Sequence, residues 1–467
     1  MARFLPLRGV RYDLRRPDRE ALLAPPYDVI SPSQRAELAR HRDNLVHAEL
    51  PVEEPGAADR YEAAARHLAA WCETGVLRRD PEPVLYAYAQ RFQHGGRALE
   101  RHGAFGLLEL APPGAESGIH PHETTLHGPR EDRRRLLEAT GANLSPLFFL
   151  TPDDDGALAG GLAEITRTRP LGEVTTPWGT EEQLWAWSGV AARRAARTIA
   201  AAPIVFADGH HRFASARAYA VNDRGADPNG TRGYVLAVVV PMRDPGLLVL
   251  PTHRLLKRAA GLDPTALDAA LEPAFDAVEL PTAGRQPEVR AAALEAWIEA
   301  RHREGRPAFV LSALGRADRG LVPRAESLAG LYAGSGVDAR QQALEVQLVQ
   351  ALLQRAYGLD VEAVARREAL AYSHDAAEML RLLESAGSAA FVLPATPVEA
   401  VVRVASAGLL LPQKSTYFLP KLTSGCVLHV HERPADPWRG AVWGRTSREV
   451  AADWLEPHAA PDVTTSP

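Results

Sequence analysis

The residues best suited to chemistry follow a short apolar run within the sequence IVFADGHHRFASA. The run predicts a buried strand, after which Asp208 and Gly209 turn the chain and a helix begins near His210. A helix start carries unpaired N–H groups and partial positive charge, so it binds anions. His210, His211 and Arg212 add donors for phosphate oxygens, and Asp208 could hold Mg²⁺ or accept a hydroxyl proton. The sequence therefore predicts a phosphate site. The alternative is that Asp208 only caps the helix and that the two histidines are ordinary surface residues.

A second polar stretch, HPHETTLHGPR, surrounds Glu123. A carboxylate beside histidines could act as a general base or a metal ligand. We expect Glu123 to be catalytic, with His122, Thr124 and Arg130 as substrate or phosphate contacts. The H-x-H pair could instead indicate a metal hydrolase. It is echoed in the HVHE motif near the end of the chain, but a strand places both of those histidines on one face, which favours a structural role there.

Two further groups of residues are candidates. The entry APPYDVIS is rigid because of its prolines, so Tyr27 and Asp28 could face a site, with Asp28 as another catalytic carboxylate. Arginine fills nearly every cationic position of the chain, yet two of its three lysines, Lys414 and Lys421, fall within PQKSTYFLPKL. A compact ammonium suits a phosphate contact, although chance explains the pair equally well.

Composition and missing motifs narrow the function. The 467 residues suit two or three lobes, and the net charge of −5 lacks the footprint of a DNA binder. Two distant cysteines and the absence of a signal or membrane segment indicate a reduced, cytoplasmic protein. The sequence has no Walker loop, no Rossmann turn and no protein-kinase catalytic loop. A phosphoryl donor must therefore be held in another way, and the DGHHR turn is the one visible candidate.

Strands alternating with helices predict a mixed α/β fold. The stretches PVLYAYAQRF and ALERHGAFGLLEL indicate a hairpin, and SPLFFL, APIVFA and GYVLAVVVP indicate buried strands. A helix is predicted over 181–201 and a strand over 247–255. We expect four parts of the chain, namely an α/β core at 1–257, a helix-rich lobe at 258–388, a segment packing back on the core at 389–456, and a disordered tail at 457–467.

Five blocks of the sequence resemble the bacterial family catalogued as the domain of unknown function numbered 1015. They are APPYDVIS, HPHETTLHGPREDRRRLLEATGANLSPLFFL, ADGHHRFASA, DPGLLVLPTHRLL and LLLPQKSTYFLPKL. The DGHHR turn is also similar to the phosphate loop of the ParB/sulfiredoxin superfamily, which includes nucleotide-dependent free serine kinases. That similarity implies a ParB/sulfiredoxin-like core with a nucleotide on Gly209–Arg212.

Departures from that superfamily separate its members. Sulfiredoxin chemistry needs a cysteine where this chain has His210, and a ParB-type switch needs a DNA-binding helix-turn-helix. We therefore expect a kinase for free serine or a similar hydroxyl metabolite, using Mg²⁺ with ATP or ADP. A ParB-like nucleotide-binding regulator and a metal-dependent hydrolase stay open as alternatives. The expected partners are a small molecule and a nucleotide, not nucleic acid or membrane, and a homodimer is left open.

Overall fold

A computed structural model of the protein describes residues 2–110, 118–123, 127–222, 229–263, 265–282, 284–360, 369–432 and 440–456. The expected disordered tail at 457–467 lies outside these residues. Among them, no helix is both long enough and apolar enough to cross a membrane.

The chain forms two compact units. The first contains residues 1–120, 125–247 and 420–467, and the second contains 121–124 and 248–419. The chain therefore leaves the first unit and returns to it. Residues 389–419 belong to the second unit, whereas the division expected from the sequence grouped 389–456 with the core.

The first unit contains a large sheet with helices around it. Its strands are β1 (Phe4–Leu5), β2 (Val10–Tyr12), β3 (Leu77–Arg79), β4 (Leu85–His94), β5 (Arg97–Glu109), β6 (Ile119–His120), β7 (Ala142–Asn143), β8 (Leu147–Thr151), β9 (Gly172–Thr175), β10 (Glu181–Trp187), β11 (Ile204–Asp208), β12 (Tyr234–Pro241) and β21 (His429–Val430). Its helices are α1 (Pro32–Leu38), α2 (Val46–Glu49), α3 (Arg60–Glu73), α4 (His127–Thr140), α5 (Ala157–Ile165), α6 (Gly189–Ala201), α7 (His210–Asn222) and α15 (Ser447–Leu455).

The order of the large sheet is β6-β11-β8-β12-β5-β4-β10-β9, with β1 also pairing β5. Strand β8 runs antiparallel to β11 and parallel to β12, so the sheet is mixed. Every residue of β8 and β12 is buried, as expected for apolar strands covered on both faces. The α/β class and the predicted β4–β5 hairpin are confirmed, and its turn uses Gly95 and Gly96 in left-handed conformations.

Two sequence-based element predictions were wrong in part. The helix predicted over 181–201 begins only at Gly189, because residues 181–187 form strand β10 and pair with β4 and β9. The single strand predicted over 247–255 is interrupted at Pro251, which lacks the N–H that a sheet requires. The interruption separates β13 (Leu248–Leu250) from β14 (His253–Lys257).

The second unit is built on a sheet as well as on helices. Its strands are β13 (Leu248–Leu250), β14 (His253–Lys257), β15 (Phe275–Leu280), β16 (Phe309–Ala313), β17 (Asp318–Pro323), β18 (Leu370–Ser373), β19 (Gly387–Val392) and β20 (Tyr417–Leu419). Its helices are α8 (Ala266–Leu271), α9 (Pro287–Arg303), α10 (Leu328–Leu331), α11 (Ala339–Gln342), α12 (Glu345–Tyr357), α13 (Ala376–Ala386) and α14 (Val398–Ser406).

Six of these strands form an antiparallel sheet in the order β15-β17-β16-β19-β14-β18. A core that includes Phe275, Phe309, Phe391 and Leu352 packs between this sheet and its helices. Helices α8 to α13 lie within the lobe at 258–388 that the sequence predicted to be rich in helices. The sequence did not indicate β15, β17 or β18, which are half of the strands in the sheet that these helices cover.

Candidate functional site

The predicted strand–turn–helix is present at the end of β11. A bulge between Phe206 and Asp208 ends the regular pairing with β8, and α7 begins at His210. Gly209 lies between them with φ +101°, in the region that favours glycine. A Cβ atom on Gly209 would lie 2.6 Å from Leu147 Cδ2. The turn therefore requires glycine both for its backbone angle and for its packing against β8.

Asp208 carries two cations on one carboxylate. Arg212 Nη2 donates to its Oδ2 at 2.9 Å, and Lys421 Nζ donates to its Oδ1. The three side chains are only 12–17% exposed. Burial raises the pKa of Asp208, but the charges of Lys421 and Arg212 outweigh it, so that the pKa lies well below its usual range. Asp208 is thus a buried anion that holds a lysine and an arginine at the start of a helix.

Arg212 also reaches back to the loop before β8. Its Nη1 donates to Ser145 Oγ at 2.9 Å and to the Pro146 carbonyl oxygen at 2.7 Å. Ser145 in turn donates to Glu49 Oε1 at 3.0 Å. Burial raises the pKa of Glu49, while Arg133 and Arg212 oppose the shift. These bonds and the one to Asp208 use three of the five N–H donors of Arg212, which leaves two for a ligand.

A small cavity lies beside this arrangement. Its volume is about 40 Å³, and its polar lining includes Glu49, Arg133, Ser145, Arg212 and Ser215. Leucine side chains from α4 and β8 complete the wall. A water molecule requires about 10–15 Å³ measured in this way, so the space suits a few waters or one small anion. It is too small for a whole nucleotide.

Tyr27 and Asp28 lie near the same arginines. The guanidinium of Arg133 stacks over the Tyr27 ring at 4.2 Å from its centroid. Burial, with Asp28 adding to it, raises the pKa of Tyr27 to about 12. The exposed Asp28 also acts electrostatically on Arg212. The helix that follows begins at Pro32 and is capped by Ser31, which leaves Asp28 without a capping role.

The two histidines of the turn differ in their surroundings. His210 stacks on Phe206 with ring centroids 4.6 Å apart and an interplanar angle of 22°. The carbonyl oxygen of His211 accepts a bond from Ser215 Oγ at 3.0 Å. The same hydroxyl lies 2.7 Å from the carbonyl oxygen of Arg130, which fixes α4 beside α7. The Arg130 side chain is exposed.

Side chains of the β4–β5 hairpin donate hydrogen bonds to the backbone of Lys421 and of its neighbour Pro420. Gln90 donates to the Lys421 carbonyl oxygen at 3.1 Å, and Arg101 donates to that of Pro420 at 2.6 Å. Gln90 also donates to the fully buried Glu182, which Thr423 contacts as well. The backbone around Lys421 is therefore fixed by buried polar side chains of the sheet.

Several residues around the turn had no signal in the sequence. The buried polar residues that support Arg212 and Lys421 belong to no recognisable motif, and only their tertiary contacts identify them. They are Glu49, Gln90, Arg101, Ser145 and Glu182. Arg133 belonged to the recognised block around Glu123, but its stacking on Tyr27 was not predicted.

Glu123 and His122 belong to the second unit. The Glu123 carboxylate accepts backbone N–H groups from Lys414 at 3.3 Å, Ser415 at 2.9 Å and Thr416 at 3.3 Å. Its neighbour His122 is buried, with Nε2 lying 2.9 Å from Thr416 Oγ1. Lys414 is exposed and has a left-handed backbone with φ +58°. Thr124 lies outside the described residues.

The metal expectations find limited support in the geometry. Across the described ranges, the one cluster of three metal-capable groups is His47, Glu54 and His67, where His67 Nε2 lies 3.0 Å from both Glu54 oxygens. Asp208 does not fit a magnesium ligand in this arrangement, because a cation already occupies each of its oxygens. His429 and His431 are buried with ring centroids 4.3 Å apart.

The fold and this turn define a mixed α/β protein with a buried cluster of two cations around one carboxylate at a helix start. The chain belongs to the family described as "Protein of unknown function (DUF1015)", which matches residues 4–353. No curated protein matches the chain.

Solved structures resemble the chain at low similarity. One is a point mutant of a free serine kinase in complex with ADP, with 11% identity, a TM-score of 0.36, and coverage of 68% of this chain and 89% of that one. A conserved hypothetical protein from Pyrococcus furiosus has 14% identity and a TM-score of 0.32, covering 65% and 89%. Truncated SbnI from Staphylococcus aureus has 11% identity and a TM-score of 0.32, covering 75% and 94%.

Proposed function

We propose that the protein is a small-molecule phosphotransferase that uses ATP or ADP to phosphorylate free serine or a similar hydroxyl metabolite. The observation that carries the proposal is the convergence of Arg212 and Lys421 on Asp208 at the first turn of α7. A helix start already favours an anion, and two oriented cations add to it. Phosphate is the anion that the fork of an arginine and the point charge of a lysine together suit.

Phosphoryl transfer asks for positioning and for compensation of charge on the transferred group. In this proposal, backbone N–H groups of Gly209–Arg212 and the two remaining donors of Arg212 bind the phosphates. Lys421 neutralises charge on the transferred group, while the Asp208 carboxylate holds the Lys421 ammonium in place. The cations need no reorganisation on binding, because their carboxylate already orients them.

The acceptor's hydroxyl needs a base or an orienting carboxylate. Asp28 is exposed and lies within electrostatic range of Arg212, and we propose it as the first choice. Glu123 stays a candidate, although its oxygens accept three backbone N–H groups. Mg²⁺ is proposed only as the companion of the nucleotide, and Asp208 is not assigned to it.

A nucleotide-binding regulator without transfer activity is the second candidate. Two of the three candidate carboxylates already have structural contacts that compete with a role as the base. Asp208 binds two cations, and Glu123 accepts N–H groups of a backbone turn, which favours a protein that binds a nucleotide without transfer. The wider ParB/sulfiredoxin resemblance rests on the DGHHR turn alone and does not separate the two candidates. The described contacts of the H-x-H pairs do not favour the metal hydrolase, because His122 Nε2 lies beside the Thr416 hydroxyl and His429 Nε2 lies beside the Thr231 carbonyl oxygen.

Transfer of label from γ-³²P-ATP to serine and related hydroxyl metabolites tests the proposal. The phosphotransferase predicts a labelled product that depends on Arg212 and Lys421. Saturable nucleotide binding with no labelled product from any of these acceptors would leave the regulator.

A further inference from the structure

Arg254 is a buried arginine on the strand next to one edge of the second unit's sheet. It lies on β14, between β18 and β19, where its backbone pairs with Tyr372 on one side and Phe391 on the other. Only 2% of the residue is exposed. It belongs to LPTHRLL, a stretch that matches the family but had no role in the sequence-based site.

Both terminal nitrogens of Arg254 are buried, and no described residue accepts a hydrogen bond from either of them. Another arginine of this unit, Arg290, illustrates the usual arrangement, with Nε donating to Asp318 at 2.8 Å and Nη2 at 2.5 Å. A buried guanidinium without acceptors is unfavourable, because it gives up hydration and gains no bond in return. Arg254 therefore lacks the partner that its chemistry requires.

The charged and titratable groups that act on Arg254 are Tyr372 and Glu123. Burial lowers the pKa of Arg254, while these two groups raise it. The Glu123 carboxylate accepts backbone N–H groups from Lys414, Ser415 and Thr416, and its charge acts on Arg254. A cation with open donors and an anion therefore lie within electrostatic range of each other.

We propose that Arg254 binds the carboxylate of a small zwitterionic ligand, whose ammonium group lies beside the negative charge of Glu123. A guanidinium matches a carboxylate with two parallel N–H bonds. A zwitterion suits the pair better than a phosphate does, because a dianion would be repelled by Glu123. The ligand class is therefore an α-amino acid or a close analogue. That class includes the free serine of the proposed function, but the binding of the ligand to Arg254 does not depend on that function.

Ligand entry requires a local movement, since both terminal nitrogens are closed off from solvent. The association rate should therefore lie well below the diffusional ceiling of about 10⁸–10⁹ M⁻¹s⁻¹ for a small molecule. Stopped-flow fluorescence of the full-length protein would measure this rate.

The test is calorimetric titration of the full-length protein with four compounds. L-Serine carries both charges, ethanolamine lacks the carboxylate, 3-hydroxypropanoate lacks the ammonium, and O-phosphoserine adds a phosphate. Wild-type protein should bind serine most tightly and should bind ethanolamine at least about tenfold more weakly, the scale of one lost charge-assisted contact. If ethanolamine binds as well as serine, or if no carboxylate binds, the proposal is wrong.

Arg254→Met removes the guanidinium but keeps an apolar side chain of similar length. It should weaken serine and 3-hydroxypropanoate by at least about tenfold and leave ADP binding unchanged. The melting temperature should stay the same or rise, because an apolar group replaces a buried charge without acceptors. Arg324→Met is the control, since Arg324 bonds Asp276 at the surface of the same unit at 2.7 Å. A fall in melting temperature with unchanged serine affinity would show that Arg254 is structural.

The two proposals can fail separately. Serine binding that depends on Arg254, in a protein that binds no nucleotide, would retain this inference and overturn the phosphotransferase. Phosphoryl transfer by a protein whose affinity for serine is unchanged by Arg254→Met would do the reverse.

Discussion

Lys421 lies 213 positions after Asp208 in the chain, yet its ammonium donates directly to the Asp208 carboxylate at the end of β11. Arg212 occupies the other oxygen of the same carboxylate. Asp208, Arg212 and Lys421 therefore form one cluster. It joins the end of β11, the start of α7 and the segment in which the chain returns to the first unit. The predictions below test the parts of that cluster separately.

The first prediction compares the two lysines of PQKSTYFLPKL. Lys421→Met should destabilise the protein by about 1–3 kcal/mol near neutral pH, because it removes a charge-assisted bond from a buried carboxylate. Lys414→Met should change stability by less than about 0.5 kcal/mol, since its side chain is exposed. Denaturant titration of both variants at several pH values measures this difference. Equal effects would show that the Lys421–Asp208 contact adds nothing.

The pH dependence of that loss has a defined sign. The folded-state pKa of Asp208 is lowered, so its ion pairs stabilise the fold above the ordinary aspartate pKa of about 4 and less as the pH falls below it. Lys421→Met should therefore approach wild-type stability only in acid. A difference that stays constant from neutral pH to the lowest pH at which both proteins remain folded would contradict the assignment.

The second prediction concerns the turn itself. Gly209→Ala should destabilise the protein by more than about 2 kcal/mol, because the new methyl group meets Leu147 and the backbone has a positive φ. Gly189→Ala is a matched control, with φ +79° and no heavy atom within 4 Å of the added Cβ. Gly189→Ala should lower the free energy of unfolding by about 1 kcal/mol, because only the positive φ opposes the new side chain there. Equal losses, measured by thermal denaturation, would remove the packing argument for Gly209.

The third prediction separates catalysis from binding through the isosteric amides of three carboxylates. Asp28→Asn should lower turnover by about 10²-fold or more with little change in nucleotide affinity or melting temperature, if Asp28 is the base. Asp208→Asn should lower the melting temperature as well, because it leaves two largely buried cations without their anion. Glu123→Gln should also lower it, since an amide group then faces backbone N–H groups. Wild-type turnover in all three would exclude a carboxylate base among them.

The sequence predicted the parts of this site that depend on local order. The DGHHR turn could be predicted because a buried strand, a glycine and a helix start adjoin one another, and the β4–β5 hairpin because alternating runs flank two glycines. The scarcity of lysine singled out Lys421, but nothing in the sequence indicated that its partner would be Asp208. Glu49 and Ser145 could not be found, because their link to Arg212 exists only in the folded chain.

The second unit shows the same limit for the fold. Strand β15 has an exposed middle of four residues and pairs only with β17 on one side, so it lacks the apolar alternation by which strands are recognised. Strand β10 contains glutamates and tryptophans that also suit a helix, and only its pairing with β4 and β9 identifies it. Tertiary pairing decided the structure in both cases.

The most direct test of the central claim is a calorimetric titration of the full-length protein with ADP and ATP, with and without Mg²⁺. The wild type should bind at least one of them saturably, and Arg212→Lys should weaken that binding by about 1–3 kcal/mol, because the charge remains while the fork is lost. Arg134→Lys, which alters a helix-surface ion pair, should bind as the wild type does. The account is contradicted if neither nucleotide binds, or if Arg212→Lys binds as tightly as the wild type.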